Sequence, residues 1–282
     1  MHMSAYTNIE AFLHREVIFL VDSTLYSAVY ASAITISTII LTQNLFSWTL
    51  VLLPFFGCIL IYSMNRLTDK EEDAINQPGR IRFPRRIRIT FLVVSLVFYV
   101  LLEDIVFQKN FLTFAIALVP VIIAILYSIF RLKRFFLVKN LSIAMALGAS
   151  VLIVPAYYDN WSGIWGWLFL FFFLIVLTNS ILFDFKDIRG DRACGIHTLP
   201  VILGFPATRY FCYALIAAAF IVIIPLMLMN RESILLIPCA GTIALSTIYA
   251  PESENPPWWY FGVLVEGEMW ILLFTTLFLM IL

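Results

Sequence analysis

Two short stretches of the sequence carry carboxylate and amide side chains at the spacing of an α-helix. In the first, NRLTDKEED, three such side chains recur four residues apart: Asn65, Asp69 and Asp73. In the second, DFKDIRGD, three carboxylates recur three and four residues apart: Asp184, Asp187 and Asp191. On a helix each set forms one polar stripe. Because neighbouring carboxylates repel one another and are costly near hydrocarbon, each stripe predicts a bound cation.

Magnesium is the cation that these ligands favour. Mg²⁺ prefers oxygen ligands, keeps several of its waters and usually bridges carboxylates to the phosphates of a substrate. Cationic side chains suited to phosphate oxygens lie in the same charged segments: Arg80, Lys133, Arg134, Lys139 and Arg192. Phe, Tyr and Trp make up 16% of the chain, and aromatic ring faces stabilise a cation. The residues therefore predict a diphosphate held by metal and cations above an apolar site for an isoprenoid tail.

The composition places this site in a membrane. Hydrophobic residues make up 62% of the chain, charged residues 13%, and the mean hydropathy is +0.96. A soluble domain of this length is less apolar, so the sequence predicts an integral membrane protein. The formal net charge is zero, which gives no indication of a nucleic-acid partner. The four cysteines form no CxxC pair and indicate neither a zinc site nor a disulfide framework.

About nine apolar segments lie between residue 24 and residue 282. Each approaches the roughly 20 residues that a helix needs to cross a bilayer. The sequence therefore predicts an all-α polytopic membrane bundle of about nine transmembrane helices, in a single domain that covers residues 1–282. The connections expected to be long or highly charged cover 65–88, 131–139 and 184–208. Both acidic stripes then belong to a cap on one face of the bundle.

The basic residues predict which face this is. Of the 18 lysines and arginines, 16 fall on the side of the two stripes, and only Lys109 and Arg231 fall on the other. By the positive-inside rule, the polar N-terminus (1–15) and the cap are cytoplasmic, and nine spans place the C-terminus on the opposite side.

The spacing of the stripes suggests an internal duplication. Asp69 and Asp187 are 118 residues apart, and so are Asp73 and Asp191. The carboxylates of each stripe follow an even-numbered span. This arrangement predicts two four-helix halves plus a ninth helix. Membrane proteins built from internal repeats often form their sites at the interface between the halves.

The same stretches carry a family resemblance. NRLTDKEED resembles the first Asp-rich motif, NDxxDxxxD, of the UbiA superfamily of intramembrane prenyltransferases, and INQPGR resembles its N-x-P-x-R-P continuation. DFKDIRGDRACGIHTLPVILG resembles the second motif, D-x-x-D-x-x-x-D-x-x-x-G-x-x-T-L-P-x-x-x-G. The segment from Leu126 to Asn140 is similar to the family's tyrosine and lysine segment between the fourth and fifth helices. The resemblance implies that Mg²⁺, as two or more ions, ionises an allylic prenyl diphosphate, whose prenyl group a transferase passes to a lipophilic or aromatic acceptor.

The resemblance also implies roles for individual residues. The ligands of one Mg²⁺ would be Asn65, Asp69 and Asp73, and those of the other Asp184, Asp187 and Asp191; the catalytic residues would be Asp69, Asp73, Asp187 and Asp191. The diphosphate would be bound by Arg80, Lys133, Lys139 and Arg192, with Tyr127 and Asn140 as secondary contacts. Two positions depart from the pattern: Arg66 replaces the usual Asp, and Ile81 replaces the usual Pro. We expect Arg66 to clamp the diphosphate or to pair with a carboxylate.

Two other classes of protein share part of this pattern. An intramembrane terpene cyclase would use the same metal sites and close the cation on its own double bonds, without a second substrate. A transporter would place its polar residues at the midplane on broken helices, whereas here they lie at one face. Glu266 and Glu268, near the start of the last span, are either caps at the membrane interface or a base that faces the cavity.

Overall fold

The fold consists of long helices that run back and forth across the molecule. The computed structural model describes residues 24–68, 75–76, 85–130, 132, 135–252, 257 and 259–279. Within these ranges there are nine α-helices and no strand: α1 (Leu25–Leu41), α2 (Trp48–Thr68), α3 (Arg85–Lys109), α4 (Phe111–Ile129), α5 (Val138–Tyr158), α6 (Gly163–Ala193), α7 (Leu199–Met229), α8 (Leu236–Ile248) and α9 (Gly267–Leu279). A 3₁₀ turn, Arg231–Leu235, leads into α8, and a π-helical turn, Tyr260–Val265, precedes α9.

These helices have the length and composition of membrane spans. Eight helical segments of the described chain are long and apolar enough to cross a membrane, and α1 is shorter, with 17 residues. The predicted all-α bundle of about nine helices is confirmed. Many large apolar side chains of α3 and α4 are exposed, among them Val97, Leu101 and Ile122, as expected where a helix faces lipid.

The helices pack in a closed ring. Each of them contacts its neighbour along the chain, and α9 packs against α1 to complete the circuit. Two helices are central. α1 also packs against α5, where Thr35 Oγ1 donates to Ser150 O at 3.5 Å. α6 is the most buried of the span candidates, with 78% of its most apolar window inside the protein.

The connections of the bundle fall into two groups at opposite ends. At one end, the Asn110 side chain caps α4 by accepting from Leu112 N at 2.7 Å, and its amide donates to Ala156 O at 2.9 Å. Lys109 stacks over the Tyr157 ring at this end, 3.6 Å from its centroid. The other end holds the termini of α2 and α6, where both acidic stripes begin. We call it the motif end.

α6 differs from the sequence-based expectation. Residues 184–208 were expected to form a charged connection, but α6 continues to Ala193 and α7 begins at Leu199. Charged residues lower the hydropathy of a segment without breaking its helix, because Asp, Lys and Arg all tolerate a helical backbone. The second acidic stripe therefore lies on the last turns of a membrane-spanning helix, as its helical spacing predicted, and this helix is longer than the apolar segment indicated.

A glycine C-cap ends α6 just after the stripe. Gly195 has a φ of +68°, the left-handed region that favours glycine. Ile196 N donates to Asp191 O at 2.8 Å, and Gly195 N donates to Arg192 O at 3.4 Å, the two hydrogen bonds of a Schellman motif. Thr198 then occupies the N-cap position of α7, without a capping hydrogen bond from its side chain, and Pro200 lies in the first turn. The G-x-x-T-L-P part of the second motif thus ends one helix and begins the next.

Candidate active site

A cavity of about 930 Å³, partly open to solvent, lies at the motif end. Its walls come from α1, α2, α5 and α6, together with Glu266 just before α9. α6 contributes one face to it, because its lining residues recur at helical spacing from Val176 to Asp187. The wall that α5 and α6 form carries Lys139, Asp184 and Asp187, so two of the three predicted second-motif ligands face this space.

A buried ion-pair network organises the second stripe. Lys139 Nζ lies 2.7 Å from Asp184 Oδ1 and 3.4 Å from Asp191 Oδ2. The two carboxylates are almost completely buried, whereas the lysine side chain is 19% exposed. Two adjacent carboxylates in such a place need a compensating cation. Lys139, at the start of α5, supplies it.

Asn140 differs from its predicted role. It was expected to contact the diphosphate, but its side chain is completely buried. Its amide donates to Asp184 Oδ2 at 2.8 Å and to Ser180 Oγ at 3.0 Å. Asn140 therefore orients the Asp184 carboxylate from behind.

Other charged side chains that line the cavity are Asp187, Lys186 and Arg66. Asp187 Oδ1 is buried and has no hydrogen-bond partner among the described residues. Lys186 Nζ stacks on two rings, 4.3 Å from the centroid of Phe183 and 5.2 Å from that of Phe261. Arg66, which departs from the family pattern, lines the cavity rather than facing lipid. The site therefore combines carboxylates with more than one cation.

The two motifs meet at the motif end. Asn76, from the INQPGR segment, accepts a hydrogen bond from Gly190 N at 2.7 Å. An ideal Cβ at position 190 would lie 2.4 Å from the Asn76 amide, so only glycine permits this approach. At the end of α2, Asn65 Oδ1 accepts from Ser128 Oγ of α4 at 3.3 Å. The hydrogen bond between Asn76 and Gly190 thus attaches the segment after the first motif to the helix that carries the second motif.

Several predicted residues lie elsewhere. Asp69, Asp73, Arg80 and Lys133 lie outside the described residues. Arg192 is exposed, Tyr127 is half-buried, and neither is among the residues that line the cavity. In the described part of the chain, no three acidic, histidine or cysteine side chains converge closely enough to hold a metal by themselves. A metal at the second stripe would therefore need further oxygen ligands, such as those of a diphosphate and water.

An apolar chamber adjoins the cavity. It has a volume of about 730 Å³ and lies between α2, α3, α4 and α5. Tyr62, Ile143 and Leu147 line both spaces, so the chamber continues from the polar cavity into the bundle. It extends along α2 from Asn65 to Leu53, a distance of about 18 Å at 1.5 Å per residue. The Tyr99 ring packs against Gly57 in its wall, where an ideal Cβ of residue 57 would lie 3.0 Å away.

The sequence left Glu266 and Glu268 either as caps at the membrane interface or as a base that faces the cavity, and it assigned no role to Tyr30 and Asn179. Glu268, completely buried, accepts at Oε1 from Tyr30 OH at 2.7 Å and from Asn179 Nδ2 at 2.8 Å. Tyr30 and Asn179 line the cavity beside Glu266. A carboxylate inside an apolar span is the one signal that marks this network in the sequence.

Comparison with known proteins identifies the family. The sequence model of the UbiA prenyltransferase family matches residues 23–261. The chain belongs to the UbiA prenyltransferase family. Among UbiA relatives, digeranylgeranylglyceryl phosphate synthase of Pyrococcus furiosus is 33% identical over 165 residues, 58% of this chain and 57% of the relative. The synthase of the same name from Methanopyrus kandleri is 29% identical over 214 residues, 71% of this chain and 76% of the relative. The matched part thus spans little more than half of the first relative.

The fold agrees with this assignment. A solved UbiA homologue from Archaeoglobus fulgidus, bound to GPP and Mg²⁺, superposes with a TM-score of 0.65. It is 14% identical in sequence, and the match covers 94% of this chain and 99% of the homologue. The likeness extends over the whole UbiA bundle.

Proposed function

We propose that this protein is a Mg²⁺-dependent prenyltransferase that acts on an allylic prenyl diphosphate inside the membrane. The observation that carries the proposal is the position of the second stripe. Asp184 and Asp187 line a polar cavity that continues into an apolar chamber about 18 Å long. A substrate with a diphosphate head and an isoprenoid tail matches a polar cavity that leads into an apolar chamber.

The donor set suits magnesium. Asp187 has a buried oxygen without a hydrogen-bond partner among the described residues, and Asp184 and Asp191 are close to the same lysine. In our proposal these three carboxylates hold one Mg²⁺, and Asn65, Asp69 and Asp73 hold another. Bound Mg²⁺ would neutralise the charge that develops on the leaving diphosphate.

The cations of the chain would bind the diphosphate itself. We assign this role to Lys139, and to Arg80, Lys133 and Arg192 of the cap. Once the carboxylates are occupied by metal, Lys139 no longer needs to neutralise them, and its ammonium group becomes available to phosphate oxygens. Arg66 also faces the cavity and adds a fixed positive charge on the α2 side. Asn140 keeps Asp184 in place during this exchange.

Transfer then requires a nucleophile at C1 of the prenyl group. The bond between C1 and the diphosphate oxygen breaks, its electron pair leaves with the diphosphate, and an acceptor atom bonds to C1. Three tyrosines line the cavity, Tyr26, Tyr30 and Tyr62, and the face of an aromatic ring can stabilise a developing cation. The name of the relatives describes a product with two geranylgeranyl groups on glyceryl phosphate. We therefore propose a prenylated glyceryl phosphate as the acceptor.

The reaction can be tested on purified protein in lipid nanodiscs. Geranylgeranyl diphosphate is incubated with and without Mg²⁺, and with and without geranylgeranylglyceryl phosphate. We expect Mg²⁺-dependent diphosphate release and a diether product that requires the acceptor. A cyclised terpene hydrocarbon or cyclised alcohol formed equally well without the acceptor would instead identify a cyclase. No diphosphate release under any condition would refute both.

The contribution of the second stripe is tested by Asp187→Asn. Loss of a group that only hydrogen-bonds to a metal ligand costs about 10- to 100-fold, so we expect loss of a ligand itself to lower the rate by more than about 100-fold. Asp104→Asn is the matched control, because Asp104 is exposed on α3 and contacts Gln108. Equal activity of the two variants would contradict the metal assignment.

The motif end is proposed to face the cytoplasm, because 16 of the 18 basic residues belong to its side. Leu45, 80% exposed, lies in the α1–α2 connection at the opposite end. In sealed cells, a membrane-impermeant maleimide should label Leu45→Cys but not Cys194, which lies at the motif end. Labelling of Cys194 but not of Leu45→Cys would show that the motif end faces away from the cytoplasm.

A further inference from the structure

One part of the cavity wall has polar groups that the proposed metal and diphosphate sites do not use. Glu266, Tyr30 and Asn179 line it, and Glu268 lies behind it as the shared acceptor of the tyrosine and the amide. These four residues come from three separate parts of the bundle: α1, α6 and the start of α9. We call them the α9 wall.

The backbone before α9 places this wall. Residues Tyr260–Val265 form a π-helical turn, an arrangement that is rare and often occurs at functional sites. Glu266 N donates to Phe261 O at 3.1 Å and ends the turn. Asn179 also donates to Val265 O at 3.1 Å, so α6 holds this turn directly. Glu266 reaches the cavity wall although its side chain is only 8% exposed.

The depth of the α9 wall matches the position of the reacting carbon. Asn179 precedes Asp184 by five residues on α6, which places it about 7.5 Å further from the motif end. In the proposed function the diphosphate lies at Asp184 and the tail lies in the apolar chamber. C1 then lies at a depth between those of Asp184 and Asn179. A nucleophile that replaces the diphosphate must therefore reach C1 from a neighbouring wall at this depth.

The groups of the α9 wall suit a hydroxyl nucleophile. A hydroxyl group both donates and accepts hydrogen bonds, and a carboxylate accepts its proton. Resting on the function proposed above, we propose that the α9 wall binds the hydroxyl group of the acceptor and that Glu266 takes its proton. The hydroxyl oxygen bonds to C1, the bond from C1 to the diphosphate breaks, and the proton passes to the Glu266 carboxylate and then to water. Glu268 acts as a positioning residue, because it holds Tyr30 and Asn179 at the wall.

The test separates ionisation of the donor from transfer. Wild type and Glu266→Gln are incubated with Mg²⁺, geranylgeranyl diphosphate and geranylgeranylglyceryl phosphate, and diphosphate release and diether are both measured. Loss of a general base costs about 10²- to 10⁴-fold. We expect diether formation to fall by that factor in Glu266→Gln, while diphosphate release continues and prenyl alcohol accumulates. Glu266→Asp should restore part of the transfer, because it keeps the carboxylate.

The controls exclude a structural effect. Glu252→Gln is the matched control, because Glu252 is 55% exposed and pairs with Arg209 at 3.0 Å, away from the cavity lining. Binding of the thiodiphosphate analogue of the donor, with Mg²⁺, should be equal in all variants. For the positioning role, Glu268→Gln should raise the KM for the acceptor more than it lowers kcat, and Tyr30→Phe should do the same.

Three outcomes would overturn the inference while leaving the proposed ionisation of the donor intact. Glu266→Gln could form diether at the wild-type rate. In the same variant, diphosphate release and diether formation could also fall to the same extent. That result would show that Glu266 acts in the ionisation of the prenyl diphosphate and not in the transfer step. Finally, a wild-type protein that releases diphosphate but forms only a hydrocarbon would exclude a hydroxyl acceptor while leaving metal-dependent ionisation intact. Absence of diphosphate release in the wild type would refute the proposed function itself, and this inference with it.

Discussion

Replacing Lys139 by methionine tests whether this lysine is the built-in counter-ion of the second stripe. Methionine keeps most of the side-chain volume but removes the charge that lies 2.7 Å from Asp184 and 3.4 Å from Asp191. Removing one partner of a buried ion pair costs about 3–5 kcal/mol, because the remaining charge is left without compensation. For a chain of this size, about 2–4 °C of melting temperature corresponds to 1 kcal/mol. We therefore expect Lys139→Met to melt about 6–20 °C below the wild type in the absence of metal.

Magnesium should reverse much of this loss. If the stripe binds Mg²⁺, a concentration about 100 times the Kd stabilises the folded protein by about 2.7 kcal/mol. In the wild type, the metal must displace Lys139 from the carboxylates, so its net stabilisation is smaller. We expect the metal-induced rise in melting temperature to be larger in Lys139→Met than in the wild type.

The assay is thermal unfolding in nanodiscs, followed by tryptophan fluorescence, with EDTA or with a series of Mg²⁺ concentrations. Lys109→Met is the control, since Lys109 stacks on Tyr157 at the opposite end of the bundle. Equal melting temperatures of the two variants without metal would contradict the counter-ion role of Lys139. So would a Mg²⁺-induced rise in melting temperature that is no larger in Lys139→Met than in the wild type.

Three substitutions of glycine test other parts of the site. Gly190→Ala places a Cβ 2.4 Å from the Asn76 amide and should lower the rate of diphosphate release. The control Gly166→Ala, on the same helix with no atom within 4 Å of the added Cβ, should leave the rate unchanged. Equal rates in the two variants would show that the Asn76 contact is not needed for activity. Gly195→Ala forces alanine to a φ of +68° and should lower the free energy of unfolding by about 1–2 kcal/mol, measured as a lower melting temperature. An unchanged melting temperature would exclude strain at this C-cap. Gly57→Val adds side-chain atoms to the chamber wall, against the Tyr99 ring that an ideal Cβ would already approach to 3.0 Å, and it should raise the KM for geranylgeranyl diphosphate more than for dimethylallyl diphosphate. Equal changes in the two KM values would place the tail elsewhere.

The helices and the ends at which the motifs lie are properties of the sequence. Apolar runs of membrane length fix the number of helices, because an unpaired backbone is too costly in hydrocarbon for any other local structure. The spacing of Asp184, Asp187 and Asp191 places them on one helical face, and α6 realises this spacing. Hydropathy alone placed the end of α6 too early, since it measures preference for the membrane and not the continuity of a helix.

The partners of these residues are decided by the tertiary structure. Lys139 and Asn140 are adjacent in the chain and were assigned the same kind of role, yet one faces two carboxylates and the other is completely buried behind Asp184. Tyr30 and Glu268 are 238 positions apart, and they meet because α9 closes the ring against α1. No local pattern encodes such a contact, because it depends on which helices pack together and how each is rotated about its axis. The sequence determined which chemical groups stand at the motif end, and the packing of the ring determined which of them neutralise, orient or face the substrate.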